Sequence, residues 1–243
     1  MEYYDIYQRR LNRYGNDYQS RMQTKREKQF ELYLKRSVYK IEFDWDHNTH
    51  VGSFEKYKQD ETESLHYLLT RVGVNIPGGT ILQLPDKDGN LRPWMVYYLE
   101  QIKASGYNRY IMLRMTHLLK WKDREGLEQS SWAYMYGQED NMLKNEIRSR
   151  SRMDTLYAEN LKMSFFVMPR NEYIKRDTYI EIGEDPFREA YRVTGFDIQS
   201  TEGVEYVTVD PIYLFDLTAA PAAPSANDPE FYWLEGGQID GNN

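Results

Sequence analysis

The chain has no cysteine among its 243 residues. Disulfides, thiolate nucleophiles and cysteine-ligated metal sites are therefore excluded, and a secreted disulfide scaffold is not expected. Histidine is scarce, with four copies. Two of them fall in Asp46-His47-Asn48-Thr49-His50, whose spacing matches no metal-binding signature, so a hydrated hairpin tip is expected there. No run of 18 apolar residues occurs, so a membrane-spanning helix is not expected. The opening Met1-Glu2-Tyr3-Tyr4-Asp5 lacks the basic and apolar regions of a secretory signal, which predicts assembly in a cytoplasm and no membrane partner.

Catalytic signatures are missing too. There is no G-x-S-x-G elbow, P-loop or G-x-G-x-x-G. Asp86, Asp88 and Asn90 begin like a calcium loop, but Leu91 stands where such a loop needs glycine and Tyr97 where it needs glutamate. Carboxylate groups such as Glu181, Glu184 and Asp185 are common in a chain with 38 acids, and sequence alone does not pair them across a cleft. The expectation is a non-enzyme with no catalytic residue, metal or cofactor.

What is present is tyrosine, 22 copies, and a polar charge distribution. Residues 1–36 carry nine Lys/Arg against five Asp/Glu, residues 37–180 twenty of each, and residues 181–243 two against thirteen. A basic head and an acidic end suit stacking on copies or partners of opposite polarity.

Residues 2–36 have helical periodicity. Tyr3, Tyr7, Leu11, Tyr14, Tyr18 and Met22 recur every three or four positions, with Asn16 or Asp17 as a cap after Gly15. Such a stripe is expected to cover the protein's own core. Arg9, Arg10, Arg13 and Arg21 fill the other faces and are candidate arm contacts. From Val38 onward the period drops to two, and short strands alternate with turns such as Pro77-Gly78-Gly79, Ser105-Gly106 and Thr201-Glu202-Gly203. Tyr107 to Leu119 has the pattern of one long strand. Residues 60–76 fit a short helix or a strand equally.

Thr80-Ile81-Leu82 parallels Thr178-Tyr179-Ile180, and Tyr110 to Leu113 parallels Tyr206 to Val209, an offset of 96–98 residues. The expected fold class is α+β, mainly β: N-terminal helices, then two small antiparallel barrel or sandwich modules. The expected bounds are a helical arm over 1–37, a first β module over 38–138, a polar insertion and connecting strand over 139–170, a second β module over 171–217, and a flexible acidic Ala/Pro-rich tail over 218–243. Lys144, Arg148, Arg150 and Arg152 form the sharpest basic cluster, suited to a subunit interface or a phosphate. Phe231, Tyr232 and Trp233 are candidates for docking the tail, either on a neighbour or back on its own barrel.

Two stretches carry a family likeness. Gly79-Thr80-Ile81-Leu82-Gln83-Leu84-Pro85 through Arg92-Pro93-Trp94-Met95-Val96 is one. Arg176-Asp177-Thr178-Tyr179-Ile180-Glu181-Ile182-Gly183 through Ala190-Tyr191-Arg192-Val193-Thr194 is the other. Together they resemble the neck proteins of tailed bacteriophages, and the second is similar to head-closure barrels. The resemblance implies a homo-oligomeric ring in the virion, partnered by portal or adaptor and tail proteins, with DNA close by in a channel and no catalytic residues. The helical arm and duplicated barrel make this chain larger than a minimal member. The alternative reading is a glycan- or peptide-binding module with an exposed platform of Trp94, Trp121 or Trp132.

Overall fold

The computed structural model describes residues 3–7, 17–57, 64–86, 88–100, 106–136, 164–184, 188–197 and 201–212. Residues 3–7 are helical. Helix α1 runs Tyr18–Arg36. Its cap falls on Asp17, whose carboxylate accepts the Ser20 backbone N–H at 2.8 Å, satisfying one of the amides that a helix start leaves over. That bond also holds the Asp17 carboxyl below its ordinary range.

Among the described residues twelve strands follow, in two sheets of six. The first sheet holds β1 (Lys40–Trp45), β2 (Asn48–Lys56), β3 (Leu65–Thr70), β4 (Ile81–Pro85), β5 (Leu91–Glu100) and β6 (Asn108–Arg114). The second holds β7 (His117–Lys122), β8 (Glu128–Tyr136), β9 (Ser164–Pro169), β10 (Tyr179–Ile182), β11 (Glu189–Asp197) and β12 (Val204–Ile212). The architecture is mainly β with helix at the N-terminus, as the alternation predicts. The ambiguous stretch at 60–76 contains strand β3, bonded on both sides, to β2 and β6.

The two sheets share one topology. The first is ordered β1-β2-β3-β6-β5-β4, and the second β7-β8-β9-β12-β11-β10. Details repeat as well. The Gly79 and Asp177 amides, both at positive φ (80° and 66°), donate to Val96 and Val193 carbonyls at 2.8 Å. The Val96 and Val193 amides return to Thr80 and Thr178 at 2.8 and 2.9 Å. A bulge then shifts the register after each valine, at Val96/Tyr98 and Val193/Gly195. The weak sequence offset is thus the trace of a structural duplication.

The copies differ at closure. In the second sheet β10 bonds to β7, pairing Glu181 with Lys120 and Ile182 with Leu119, and the barrel closes. In the first, β1 and β4 approach without a hydrogen-bonded ladder, and Phe43, Leu82 and Leu84 share the core there.

Two expectations about boundaries need correction. Tyr107 to Leu119 is two strands, β6 and β7, and the chain changes sheet between them. The Met115 amide donates to Pro93 in the first sheet, and the next amide, of Thr116, donates to Ala133 in the second. A limit at residue 138 also misplaces β7 and β8, which bond to β10 and β9. The apolar alternation runs unbroken across the switch, because Met115 is itself buried where the sheets meet.

Four cores result. The first sheet encloses Phe54, Leu68, Trp94, Tyr110 and Met112 among others. The barrel encloses Leu119, Trp121, Phe166, Ile180, Val193 and Val207. A third core joins the sheets, with Leu65, Met95, Tyr97, Ile111 and Leu113 meeting Tyr134, Phe165, Val167, Val204 and Tyr206. The fourth, Phe30, Leu34 and Leu69, seats α1 on the first sheet.

Candidate functional site

The two surfaces that the fold builds with most specificity are the joint between the sheets and the seat of α1. At the joint, two turns that are far apart in sequence press together. A Cβ placed on Gly203 would lie 1.9 Å from the Gly78 carbonyl oxygen, and one on Gly79 would lie 2.0 Å from the Gly203 carbonyl oxygen. Only glycine allows backbones so close. Beside them the Tyr97 and Tyr206 hydroxyls meet at 2.6 Å, and Thr201 Oγ1 lies 3.0 Å from the Tyr206 hydroxyl. The phenols thus satisfy one another inside an apolar contact, as buried tyrosines generally require.

At the helix seat, Phe30 stacks on Tyr107 with ring centroids 5.1 Å apart. Gly106 leaves room for the helix backbone, since a Cβ there would meet the Arg26 carbonyl carbon at 2.4 Å. Arg71 donates two hydrogen bonds to Glu31. The hydrogen bond from Arg71 keeps the Glu31 carboxyl below its ordinary range. The Tyr33 hydroxyl donates to Glu55, which also accepts from Ser53 Oγ at 2.9 Å.

The aromatic stripe of the arm is not used as expected. Its C-terminal part, at Phe30 and Leu34, is buried, but Tyr3 (86% exposed), Tyr4, Tyr7 and Tyr18 (75%) face solvent. Among the described residues of the stripe, Phe30 and Leu34 are buried on the first sheet and Met22 is partly buried, while the α1 backbone already packs on Gly106 at Arg26; Leu11 and Tyr14 lie outside the described residues.

Arg21 lies on α1 and is partly buried. Arg9, Arg10 and Arg13 lie outside the described residues, as do Lys144, Arg148, Arg150 and Arg152, and Phe231, Tyr232 and Trp233. The tryptophan platform of the alternative reading is not formed by Trp94 and Trp121, each 2% exposed and packed in a core. Trp132 is partly buried against the joint.

Asp46 and His47 take positive φ (49° and 60°) at the tip of the β1–β2 hairpin, the geometry of a primed turn. No group of three or more potential metal ligands gathers among the described residues. Asp86 Oδ1 accepts the Asp88 and Asn90 amides, both at 2.9 Å, so its loop is built by turn bonds. Glu205 is the carboxylate that sequence reasoning missed. It is 1% exposed, and burial pushes its pKa up, while the Asn171 amide donates to Oε2 at 3.0 Å. It sits inside an apolar strand, Val204-Glu205-Tyr206-Val207, and this lone charge was the available signal. His117 is pushed down by burial, with Glu189 acting the other way.

No protein-family model matches the chain, and no curated protein does. Among solved structures it is similar to MrkH, described as a c-di-GMP-dependent transcription regulatory factor, at 6% identity over 79% of this chain and 84% of that one, with a TM-score of 0.25. K. pneumonia MrkH in its apo state gives 8% identity, 79% and 85% coverage and a TM-score of 0.25. The MrkH–c-di-GMP complex gives 8%, 79% and 87%, and 0.24. At these scores the likeness supports no statement about fold or function.

Proposed function

We propose that this chain is a non-catalytic structural subunit of a tailed-phage virion, a neck or head–tail connector ring protein that joins portal or adaptor to tail and closes the DNA channel. The observation that carries the assembly reading is the run of exposed aromatic side chains at the N-terminal arm, Tyr3, Tyr4, Tyr7 and Tyr18. Such a stripe is costly in water and gains its burial from another chain, at roughly 25 cal/mol per Å² of apolar surface removed from solvent. The neck assignment itself rests on the likeness of the Gly79–Val96 and Arg176–Thr194 stretches to the neck proteins of tailed phages, the second of them to head-closure barrels. The joined double module is in keeping with it, because a subunit that transmits load between two assemblies needs its halves fixed relative to each other.

The test is the solution mass of the purified protein by light scattering, with negative-stain images of the same sample. A closed ring, or a ring formed on addition of portal or tail protein, is the expected result. A monomer that binds neither portal nor tail protein overturns the reading. A glycan array on that monomer, with Trp132→Ala as control, then examines the binding-module alternative.

A further inference from the structure

The outward side of α1 is mostly basic, with exposed Tyr18 and Leu32 among its cations. At 3.6 residues per turn, Arg21, Lys25, Lys28, Leu32, Lys35 and Arg36 fall within an arc of about 100°. That arc lies opposite Phe30 and Leu34, the residues that seat the helix. The two acids of the helix, Glu27 and Glu31, fall outside it, and Glu31 is engaged by Arg71. Lys25, Lys28, Lys35 and Arg36 are exposed, and Leu32 is 54% exposed in their midst. Lys35 and Arg36 suit the C-terminal end of a helix dipole. Lys25 and Lys28 lie too far from that end for the dipole to account for them, and Arg21 lies near Asp17, whose pKa it helps to lower.

We propose that this basic stripe is the seat of the chain's own acidic C-terminal segment, within residues 213–243. That segment carries Asp216, Asp228, Glu230, Glu235 and Asp240 and no lysine or arginine. Its order of charge and apolar groups matches the stripe. Acids at 228, 230 and 235 flank Phe231-Tyr232-Trp233-Leu234, while cations at 21, 25, 28, 35 and 36 flank Leu32. The lengths agree: the stripe from 21 to 36 is about 22 Å at 1.5 Å per residue, and 228 to 235 extended is about 23 Å at 3.3 Å per residue. The sixteen residues from Ile212 to Asp228 reach up to about 53 Å at the same rise. A seat of this kind matches the opposite charge of the two chain ends, and an exposed aromatic–apolar contact supplies the part that salt does not screen. The inference goes beyond the ring reading and does not depend on it, because the segment can come from the same copy or a neighbour.

Zero-length carbodiimide cross-linking of the full chain at low salt, followed by mass spectrometry, tests it. The expected links join Lys25, Lys28 or Lys35 to Asp228, Glu230, Glu235 or Asp240. In an equal mixture of light and heavy-isotope chains, links of mixed mass place the segment on a neighbour and unmixed links on its own copy; both support the seat. In the full chain carrying Arg21→Glu and Arg36→Glu, which keeps the three lysine amines, the yield falls at least about twofold, because an exposed ion pair shifts an equilibrium by roughly 1.4- to 5-fold. Absence of these links at low salt overturns the proposal. So does a yield unchanged by the double substitution. Tight binding of duplex DNA by a chain that shows no such links assigns the stripe to nucleic acid instead.

Discussion

Substituting Gly203→Ala separates the cost of its backbone conformation from the cost of the contact it makes. Gly203 has φ +76°, and an added Cβ would lie 1.9 Å from the Gly78 carbonyl oxygen and 2.5 Å from its carbon. Gly126 has φ +79° with nothing within 4 Å of the same added atom. Alanine at Gly126 therefore meets only the left-handed penalty, about 1–2 kcal/mol. Alanine at Gly203 meets that penalty and must also push the 77–79 turn away from the joint, which adds roughly 1–3 kcal/mol of overpacking. The clash involves backbone on both sides, so no side-chain rotation relieves it. The full chain of each variant is unfolded in urea and followed by tryptophan fluorescence. Trp94 reports the first sheet and Trp121 the barrel, since each is buried in a separate core. Gly203→Ala is expected to lose about 2–5 kcal/mol and Gly126→Ala about 1–2 kcal/mol. Equal losses in the two variants would refute the reasoning, because the backbone contact between the modules would then carry no energy.

Three further outcomes follow from the geometry. Tyr97→Phe and Tyr206→Phe each cost about 1–3 kcal/mol in thermal unfolding, and the double variant costs less than their sum, since both remove the same hydroxyl contact; strict additivity would dissociate the two phenols. Glu205 has a folded pKa raised by burial. The stability linked to it is therefore fully present below the ordinary glutamate range and is lost as pH rises through the folded value. Glu205→Gln keeps an acceptor for the Asn171 amide and removes the charge, so its melting temperature should gain on the parent protein as pH rises above the ordinary glutamate range; parallel curves would sink this account. Glu31 behaves in the opposite sense, because its folded pKa is lowered by Arg71. Its contribution is present above the ordinary glutamate range and fades as pH falls through the folded value. Both partners are well exposed, so Arg71→Ala costs no more than about 1 kcal/mol at neutral pH, as urea midpoints will show.

Much of the fold was written in local pattern. The change from a 3.6-residue to a two-residue period near Val38 marks the passage from α1 to β1, since one apolar face must be buried whichever element forms. Turn residues such as Gly79, Gly89 and Gly203 stand at positive φ because other residues are strained there. Even the duplication left its trace, in the Thr80 and Thr178 stretches, whose backbone bonds recur. The charge polarity of the chain, and with it the basic outer stripe of α1, is a property of the sequence alone.

Tertiary structure decided what local pattern leaves degenerate. Alternation is blind to which sheet a strand joins, so Tyr107 to Leu119 reads as one strand although Met115 and Thr116 hand the chain from one sheet to the other. A buried tyrosine and an exposed one look alike in sequence. Tyr97 and Tyr206 meet in the joint, while Tyr3 and Tyr18 remain in water, because only the first pair has a second sheet to pack against. Trp94 and Trp121 likewise fell inside their modules. The closest backbone approach in the joint, Gly78 to Gly203, joins turns that local rules place independently. Periodicity fixes which face of an element seeks burial; the arrangement of the other elements fixes what buries it.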